Sequence, residues 1–282
     1  MPPHAKVAAV VLAAGPADDT LAVGGAVPTK ALLPIGGAPM AVYVLNAIRR
    51  CEAVDVTVLV GPQHSALAGW FDVGVPGGER LADSLALGLG AALATGADEF
   101  LVITSDVPWV DGPLLTRFLH RARSQEFAGA QLVYAVVEEA TAVAAFPQHK
   151  RTFVRLKDGR YTGGNAVYLK SAAVAGLLPL IDNLYRARKN PFALAGMMGL
   201  DTLFALVTGS ASIARLERRA SSLLGVEARA LISLDAAIAA DVDKAAHVPG
   251  AGTGELPAPV GELPGEHRDR QAAASPTIRR VS

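Results

Sequence analysis

Lys30, which follows a glycine-bearing loop, is the first residue of the chain whose setting indicates chemistry. The apolar run Val7–Ala14 is short and rich in β-branched residues, and it breaks at Gly15 into a loop of small residues. Such a run is typical of a strand buried on both faces of a parallel sheet, and open α/β sheets bind ligands at the carboxyl ends of their strands. Backbone N–H groups of the loop can bind phosphate oxygens, and a lysine after it can neutralise phosphate charge. The arrangement indicates chemistry on nucleotide phosphates.

Aspartates at two further places have the spacing of a magnesium site. Asp106 directly follows the apolar run 100–105, so it is predicted at the same sheet edge as the glycine loop. Asp241 and Asp243 alternate on an extended segment, where alternate side chains point the same way and can face one ion. Magnesium binds one or two carboxylates together with phosphate oxygens and water. The alternatives are a turn cap at Asp106 and an exposed acidic turn at 241–243.

Strand-like and helix-like segments alternate through the first half of the chain, and this pattern predicts the architecture that positions these residues. The alternation favours an α/β fold with a doubly wound, mainly parallel sheet. Extended segments then surround a turn at Asp158-Gly159, and helices fill most of 171–225, which gives a helical C-terminal part. The predicted strands are 7–13, 54–60, 99–103, 130–137 and 228–232, and the predicted helices of the first half are 41–50, 81–94 and 114–124.

The composition changes after about Val248, where apolar periodicity ends. Proline, glycine and alanine dominate from there to the last residue, which is typical of a disordered segment. We predict one catalytic domain over residues 1–248 and a disordered tail over 249–282.

The overall composition excludes several classes of function. Lysine plus arginine equals aspartate plus glutamate at 26 each, so no net charge favours binding to nucleic acid or to anionic membranes. Cys51 is the only cysteine, and the six histidines lack ligand spacing, which disfavours a disulfide or a zinc centre. The start of the chain does not resemble a signal peptide, and glycines and Asp201 interrupt the apolar stretch 192–213, so neither export nor a membrane span is expected. We therefore expect a cytoplasmic enzyme, and a homodimer is left open.

The glycine loop and the stretch after it carry a family resemblance. Leu12-Ala13-Ala14-Gly15 followed by Pro28-x-Lys30-x-Leu32-Leu33-Pro34-Ile35-x-Gly37-x-Pro39-Met40 resembles the N-terminal signature of the nucleotidyltransferase superfamily. That superfamily includes the molybdenum cofactor guanylyl- and cytidylyltransferases, methylerythritol-phosphate cytidylyltransferase and the sugar-1-phosphate nucleotidylyltransferases. The resemblance implies the Rossmann-like nucleotide-diphospho-sugar transferase fold. It also implies that Leu12, Ala13, Ala14 and Gly15 bind a nucleoside triphosphate and that Lys30 acts catalytically on its phosphates.

The loop departs from the family pattern in one respect. Family members usually carry an arginine in it, whereas residues 16–27 contain none and include Asp18 and Asp19. A weaker or differently arranged triphosphate site is the expected consequence.

The two aspartate segments also resemble family motifs. Asp106-Val107-Pro108 is similar to the metal-binding aspartate motif, and Ala240-Asp241-Val242-Asp243 is similar to a terminal element in which an aspartate completes the magnesium site. By this resemblance, Asp106 and Asp243 bind Mg²⁺. Lys244-Ala-Ala-His247 replaces the Thr-Pro-Glu-Asp that follows in relatives.

A third stretch, 77–89, resembles a glycine–arginine–serine motif found especially in the cytidylyltransferase branch. Arg80 and Ser84 lie four residues apart at the start of a helix and share a face. The resemblance implies that Gly78, Arg80 and Ser84 contact nucleobase, ribose or phosphate, and it makes Arg80 a second catalytic candidate. The alternative is an ordinary glycine turn before a helix.

Residues for the acceptor are predicted in two places. Relatives place a glycine or asparagine against the acceptor before a strand such as 166–169, which points to Gly164 and Asn165. Arg188 and Lys189 belong to a basic patch that would suit a phosphorylated acceptor. A plain turn and a solvated helix end are the respective alternatives.

The leading hypothesis is a magnesium-dependent nucleotidyltransferase that moves a nucleoside monophosphate from its triphosphate to a phosphorylated small molecule or cofactor and releases pyrophosphate. A cytidylyltransferase of the isoprenoid or polyol-phosphate kind is the alternative within this class. A glycosyltransferase that uses Asp241-Val-Asp243 as its metal site, and a catalytically silent nucleotide-binding protein, are the alternatives outside it.

Overall fold

The computed structural model describes residues 5–15, 29–187, 196–197, 199–243, 247 and 256, with side chains omitted at 184–187. Its centre is an eight-stranded sheet in the order β10-β7-β9-β6-β1-β4-β5, with β8 paired to β9. A separate two-stranded hairpin is formed by β2 and β3. The strands are β1 (Val7–Leu12), β2 (Pro34–Ile35), β3 (Ala38–Pro39), β4 (Val56–Val60), β5 (Val73–Val75), β6 (Glu99–Thr104), β7 (Leu132–Glu138), β8 (Val154–Leu156), β9 (Gly159–Lys170) and β10 (Ala228–Ser233).

The helices lie against both faces of this sheet. They are α1 (Met40–Arg49), α2 (Leu81–Ala94), α3 (Gly112–Ala122), α4 (Glu139–Ala145), α5 (Ser171–Ala187), α6 (Leu200–Thr208) and α7 (Ile213–Leu224). One core layer joins Ala9 and Val11 of β1 to α1 and α3, and the other joins Ala8 and Val10 to α2, α5 and α7. The first strand is therefore buried on both faces, which confirms the prediction from its uninterrupted apolar run.

The sheet is mainly parallel, as predicted, but it is mixed. Strand β1 runs parallel to β4 and β6, and β7 runs parallel to β10. Between β6 and β7 lies β9, which is antiparallel to both. The extended segments expected around Asp158-Gly159 are thus β8 and β9, which form an antiparallel hairpin. The long second strand of this hairpin, β9, completes the middle of the sheet.

Short elements are where the sequence predictions differ from the structure. Strand β5 has only three residues with Gly74 at its centre, and α4 has only seven residues, so neither gives a clear periodic pattern. The predicted tail, 249–282, lies outside the described residues apart from Leu256.

The apolar stretch 192–213 lies partly outside the described residues, and its remainder contains α6. None of the described helices is both long enough and apolar enough to cross a membrane. On α6, Leu200, Phe204 and Val207 are exposed, whereas Thr202 and Ala205 are buried.

Candidate active site

The carboxyl ends of β1 and β6 meet in register and bring the glycine loop next to Asp106. Leu12 pairs with Thr104, and the Ser105 amide continues the ladder by donating to the Leu12 carbonyl at 3.0 Å. Asp106 follows directly. Its own carbonyl accepts from the Val242 amide at 2.8 Å, so a backbone bond fixes the segment 241–243 against the end of β6.

Three carboxylates converge at this sheet edge. Asp106, Asp241 and Asp243 each offer one oxygen, and these oxygens all lie within 4.8 Å of one another. The side chains of Asp106 and Asp241 are each 19% exposed, whereas that of Asp243 is 54% exposed. The cluster therefore has a shielded inner side and an open outer side.

Lys30 reaches the same cluster from the other end of the chain. Its Nζ donates to Asp243 Oδ1 at 2.5 Å and to the Val242 carbonyl at 3.3 Å, and it lies 3.6 Å from Asp106 Oδ2. A short turn, Lys30–Leu32, presents the side chain, and the Lys30 amide donates to the Gly15 carbonyl at 3.2 Å. The lysine is thus tied to the glycine loop by its backbone and to the aspartates by its side chain.

The protonation states of the cluster follow from burial and mutual attraction. Burial disfavours the Lys30 ammonium, but its hydrogen bond to Asp243 and the charges of the three aspartates outweigh burial and raise its pKa. Burial and a hydrogen bond shared with Asp243 raise the pKa of Asp241, against the attraction of Arg151. That shared bond, together with Lys30, lowers the pKa of Asp243. Asp241 is therefore the weaker acid of the pair and Asp243 the stronger.

The donor set at this edge suits a hard divalent cation. Magnesium prefers oxygen ligands, and three carboxylate oxygens within 4.8 Å of each other provide them. Buried polar atoms normally have hydrogen-bond partners, yet Asp106 Oδ1, Thr29 Oγ1 and Thr104 Oγ1 are buried with none among the described residues. A bound cation would satisfy the unused acceptor of Asp106, and a phosphate oxygen could accept from a threonine hydroxyl.

Arg151 joins the aspartate cluster to the start of β9. Its guanidinium forms an ion pair with Asp241, donates to Thr162 Oγ1 at 3.3 Å, and donates to the Gly163 carbonyl at 3.2 Å. The contacts are mostly shielded, because the Arg151 side chain is 16% exposed. Arg151 therefore fixes Asp241 relative to the strand on which the predicted acceptor residues lie.

A stacked pair of histidines contacts the segment 241–243. The Asp243 amide donates to His247 Nδ1 at 3.4 Å, and the His247 ring stacks on His149 with a centroid distance of 4.6 Å. Both residues are more than nine-tenths buried. They therefore help to hold the segment 241–243 in place.

The glycine motif at 77–78 packs directly against Ala14 of the glycine loop. A side chain at Gly77 would collide with the Cβ of Ala14, and one at Gly78 would collide with the Cβ of Asp83. Ser84 is buried and its Oγ accepts from the Gly78 amide at 3.0 Å. The motif thus closes a turn beside Ala14, with Ser84 occupied in holding that turn.

Arg80, the second predicted catalytic residue, is engaged by two carboxylates. Its Nη2 lies 2.7 Å from Asp83 Oδ1, and its Nη1 forms an ion pair with Asp182 of α5. The hydrogen bond to Asp83 and the charges of Asp182 and Asp83 raise its pKa. A nucleotide that used Arg80 would have to compete with these partners or share the arginine with them.

The predicted acceptor residues are described only in part. Gly164 packs against Ala135, where an added Cβ would approach the Ala135 carbonyl to 3.1 Å, and Asn165 Nδ2 donates to the Ile238 carbonyl at 3.5 Å. Both lie just after Gly163, the backbone partner of Arg151. Arg188 and Lys189 lie outside the described residues.

Sequence reasoning missed Arg151 and the histidine pair. Arg151 stands alone between Lys150 and Thr152 with no motif around it, and its role follows only from the long-range contact with Asp241. His149 and His247 are far apart in the sequence, and metal-ligand spacing carries no information about stacking between distant segments.

Comparisons with known proteins identify a family and similar structures. The profile of a family described as the MobA-like NTP transferase domain matches residues 9–194. A structure described as that of a hypothetical transferase from Thermus thermophilus is 34% identical, with a TM-score of 0.75, and the match covers 86% of this chain and 99% of that one. A 2-C-methyl-D-erythritol 4-phosphate cytidylyltransferase, also from Thermus thermophilus, is 17% identical with a TM-score of 0.46, covering 86% and 95% of the respective chains.

One curated relative matches over a shorter stretch. A phosphoenolpyruvate guanylyltransferase from Sphaerobacter thermophilus is 36% identical over 73 residues, which are 24% of this chain and 35% of that protein. The match therefore spans about a third of the relative's length.

The family profile covers well over half of the 282 residues and includes the glycine loop, Lys30 and Asp106. Its description as an NTP transferase domain excludes the glycosyltransferase alternative and disfavours a silent binder. With the lysine and the aspartates meeting at one sheet edge, the chain is a nucleotidyltransferase and belongs to the family of MobA-like NTP transferase domains.

Proposed function

We propose that this enzyme transfers a nucleoside monophosphate from a nucleoside triphosphate to a phosphorylated small molecule or cofactor, in a magnesium-dependent reaction that releases pyrophosphate. The observation that carries the proposal is the convergence of Lys30 Nζ with one oxygen each of Asp106, Asp241 and Asp243 at the ends of β1 and β6. An ammonium and clustered carboxylates beside a glycine loop are the groups that phosphoryl chemistry requires.

The reaction follows from what these side chains can do. An acceptor phosphate oxygen attacks the α-phosphorus in line, and the bond to the bridging oxygen of the β-phosphate breaks, so pyrophosphate leaves. Lys30, kept charged by its carboxylate partners, neutralises charge that builds on the departing phosphates. Asp106, Asp241 and Asp243 would hold Mg²⁺, which when bound supplies charge neutralisation on the phosphate oxygens.

The nucleobase remains a choice between two supported candidates. The curated relative is named a guanylyltransferase, which favours GTP as the first triphosphate to test. The motif at 77–89, whose glycines pack against Ala14 and Asp83, supports CTP through its resemblance to the cytidylyltransferase branch.

The direct test measures pyrophosphate release with GTP, CTP, UTP or ATP and Mg²⁺ against a panel of phosphorylated acceptors. We expect release with one triphosphate and one acceptor class, and loss of release when EDTA removes the metal. Asp106→Asn should lower kcat by about 100-fold or more, because it removes a shielded ligand of the cation. Asp98→Asn is the matched control, because Asp98 is exposed and lies directly before the first residue of β6, at the end of the strand away from Asp106.

A second readout separates metal binding from turnover. Electron paramagnetic resonance with Mn²⁺ in place of Mg²⁺ should show binding to the wild type and weakened binding to Asp106→Asn. Pyrophosphate release that persists in EDTA, or Mn²⁺ binding unchanged by Asp106→Asn, would contradict the proposed role of the cluster.

A further inference from the structure

An apolar cavity of about 360 Å³ lies between the sheet and the last two helices. Its sheet side is formed by β7, β8, β9 and β10, and its helix side by α6 and α7. The apolar side chains that line it include Leu132, Val136, Leu156, Leu206, Ile213 and Leu216. Its volume lies in the range typical of small-molecule sites, about 300–1,000 Å³.

The cavity borders the acceptor end of the candidate active site. Thr162 and Gly163 line it, and the same two residues accept hydrogen bonds from Arg151, the partner of Asp241. The cavity and the aspartate cluster therefore meet along one stretch of β9, residues 162–163.

Tyr134 stands at this junction. It lines the cavity, and its Oη lies so close over Gly163 that a Cβ there would collide with it. The phenol is also within electrostatic reach of Arg151 and Asp241, although burial is the main reason that its pKa is raised. Because Tyr134 is 36% exposed, it borders the opening and is not part of the closed core.

The side chains that line the cavity determine which kind of ligand it can bind. The charged side chains at its border, Glu217 and Arg229, are paired with each other at 3.2 Å. Glu217 also accepts from the Ala230 amide at 2.8 Å. With these groups paired, the surface offered to a ligand is mainly that of leucine, isoleucine, valine and alanine side chains, which favours an alkyl or aryl body over a sugar.

We infer that this cavity is the acceptor subsite for an apolar body, so that the acceptor is a phosphate monoester whose phosphate lies at the aspartate cluster and whose alkyl or aryl group occupies the space beneath α6 and α7. The inference rests on the proposed function, which supplies the reacting phosphate. A preference follows: each methylene that the cavity buries should raise kcat/KM by about fourfold, until the cavity is full.

The first experiment measures binding to the full chain without turnover. The probe is 1-anilinonaphthalene-8-sulfonate, whose fluorescence rises in apolar surroundings, and hexyl phosphate and ethyl phosphate compete with it. We expect hexyl phosphate to displace the probe on the order of 100-fold more effectively than ethyl phosphate. Ala220→Phe, which fills the cavity from α7, should abolish the difference. Ala214→Phe is the control, because Ala214 lies on the exposed side of the same helix.

The second experiment measures pyrophosphate release with the preferred triphosphate across ethyl, butyl and hexyl phosphate. In the wild type and Ala214→Phe, kcat/KM should rise with chain length, whereas in Ala220→Phe it should be level. If Ala220→Phe does not fold, Ala230→Leu fills the cavity from β10 and replaces it.

The outcomes separate the two proposals. Equal binding and equal turnover of all chain lengths, with pyrophosphate release from polar acceptors, would overturn the apolar subsite and leave the proposed function intact. Chain-length-dependent binding with no pyrophosphate release from any triphosphate and acceptor would overturn the acceptor role together with the proposed function. A chain-length preference that Ala220→Phe leaves unchanged would overturn the assignment to this cavity.

Discussion

Lys30 Nζ and Asp243 Oδ1 lie 2.5 Å apart, although the two residues are separated by 213 positions in the sequence. The contact is fixed at both ends by backbone bonds, from Lys30 to the Gly15 carbonyl and from Val242 to the Asp106 carbonyl. The site therefore exists only when β1, β6 and the segment after β10 have all come together. Its assembly is a consequence of nearly complete folding of the domain.

Removing the Lys30 ammonium should make stability depend more strongly on magnesium and should lower activity. In Lys30→Ala the three aspartates lose their shared cation, so Mg²⁺ should raise Tm more in this variant than in the wild type. Nucleotidyl transfer should fall by about 100- to 1,000-fold, because charge on the departing phosphates is no longer neutralised. Thermal unfolding with and without Mg²⁺, together with pyrophosphate release, measures both effects.

Lys157→Ala is the matched control for this experiment, because Lys157 is an exposed lysine in the turn between β8 and β9. It should behave as the wild type does in both assays. Normal turnover by Lys30→Ala would refute the assigned role of the lysine.

Arg80 and Asp182 provide a test of the predicted nucleotide contact. Both carboxylates that hold Arg80 are partly exposed, and exposed ion pairs contribute little to stability. We expect Arg80→Ala to leave Tm nearly unchanged and to raise the KM for the triphosphate by about tenfold or more. Asp182→Asn frees one side of the guanidinium and should leave that KM unchanged or lower it. A loss of Tm in Arg80→Ala without a change in KM would mean that the arginine only joins α2 to α5.

Features of the fold and the candidate site could be predicted from the sequence where they depend on a local motif, but not where they depend on a contact between distant residues. The strand–loop–lysine pattern and Asp106 could be predicted because their chemistry depends on neighbours within a few residues. Asp241 and Asp243 could be predicted to lie together because they alternate on one extended segment, but the contact of Asp241 with Arg151, which lies 90 positions away, could not. The antiparallel direction of β9 could not be predicted either. Strand order depends on which apolar faces pack together, and many segments of this chain are apolar enough to form a central strand.

The glycines of α2 give a prediction about packing. Gly88 faces the sheet, and an added Cβ would lie 2.6 Å from both Val10 Cγ1 and Val60 Cγ2, whereas nothing lies within 4 Å of the corresponding position on Gly90. Gly88→Ala should lower the free energy of unfolding by about 1–3 kcal/mol through overpacking. Gly90→Ala should raise it by about 0.5–1 kcal/mol, because alanine is the better helix former. Urea denaturation of the two variants measures the contrast, and equal effects would show that α2 shifts freely on β1 and β4.

His149 is the group from which we expect the clearest effect of pH on stability. It is 7% exposed, packs against the rings of Trp109, Phe146 and His247, and neither ring nitrogen has a hydrogen-bond partner among the described residues. Burial, with the nearby charges of His247 and Arg151, lowers its pKa from 6.5 to about 4. The folded protein therefore holds this imidazole neutral under conditions in which the unfolded chain protonates it.

The sign of the effect follows from proton uptake. Between pH 6.5 and about 4 the unfolded state binds more protons at this residue than the folded state, so stability rises with pH across that window and is lost as the pH falls through it. A shift of this size corresponds to roughly 3 kcal/mol at most. His149→Phe keeps the aromatic packing and removes the titrating group, so its free energy of unfolding should exceed that of the wild type at about pH 4.5 and be similar at about pH 7.5. Urea denaturation at the two pH values measures this difference. Parallel losses of stability in both proteins on acidification would assign the acid sensitivity to other groups.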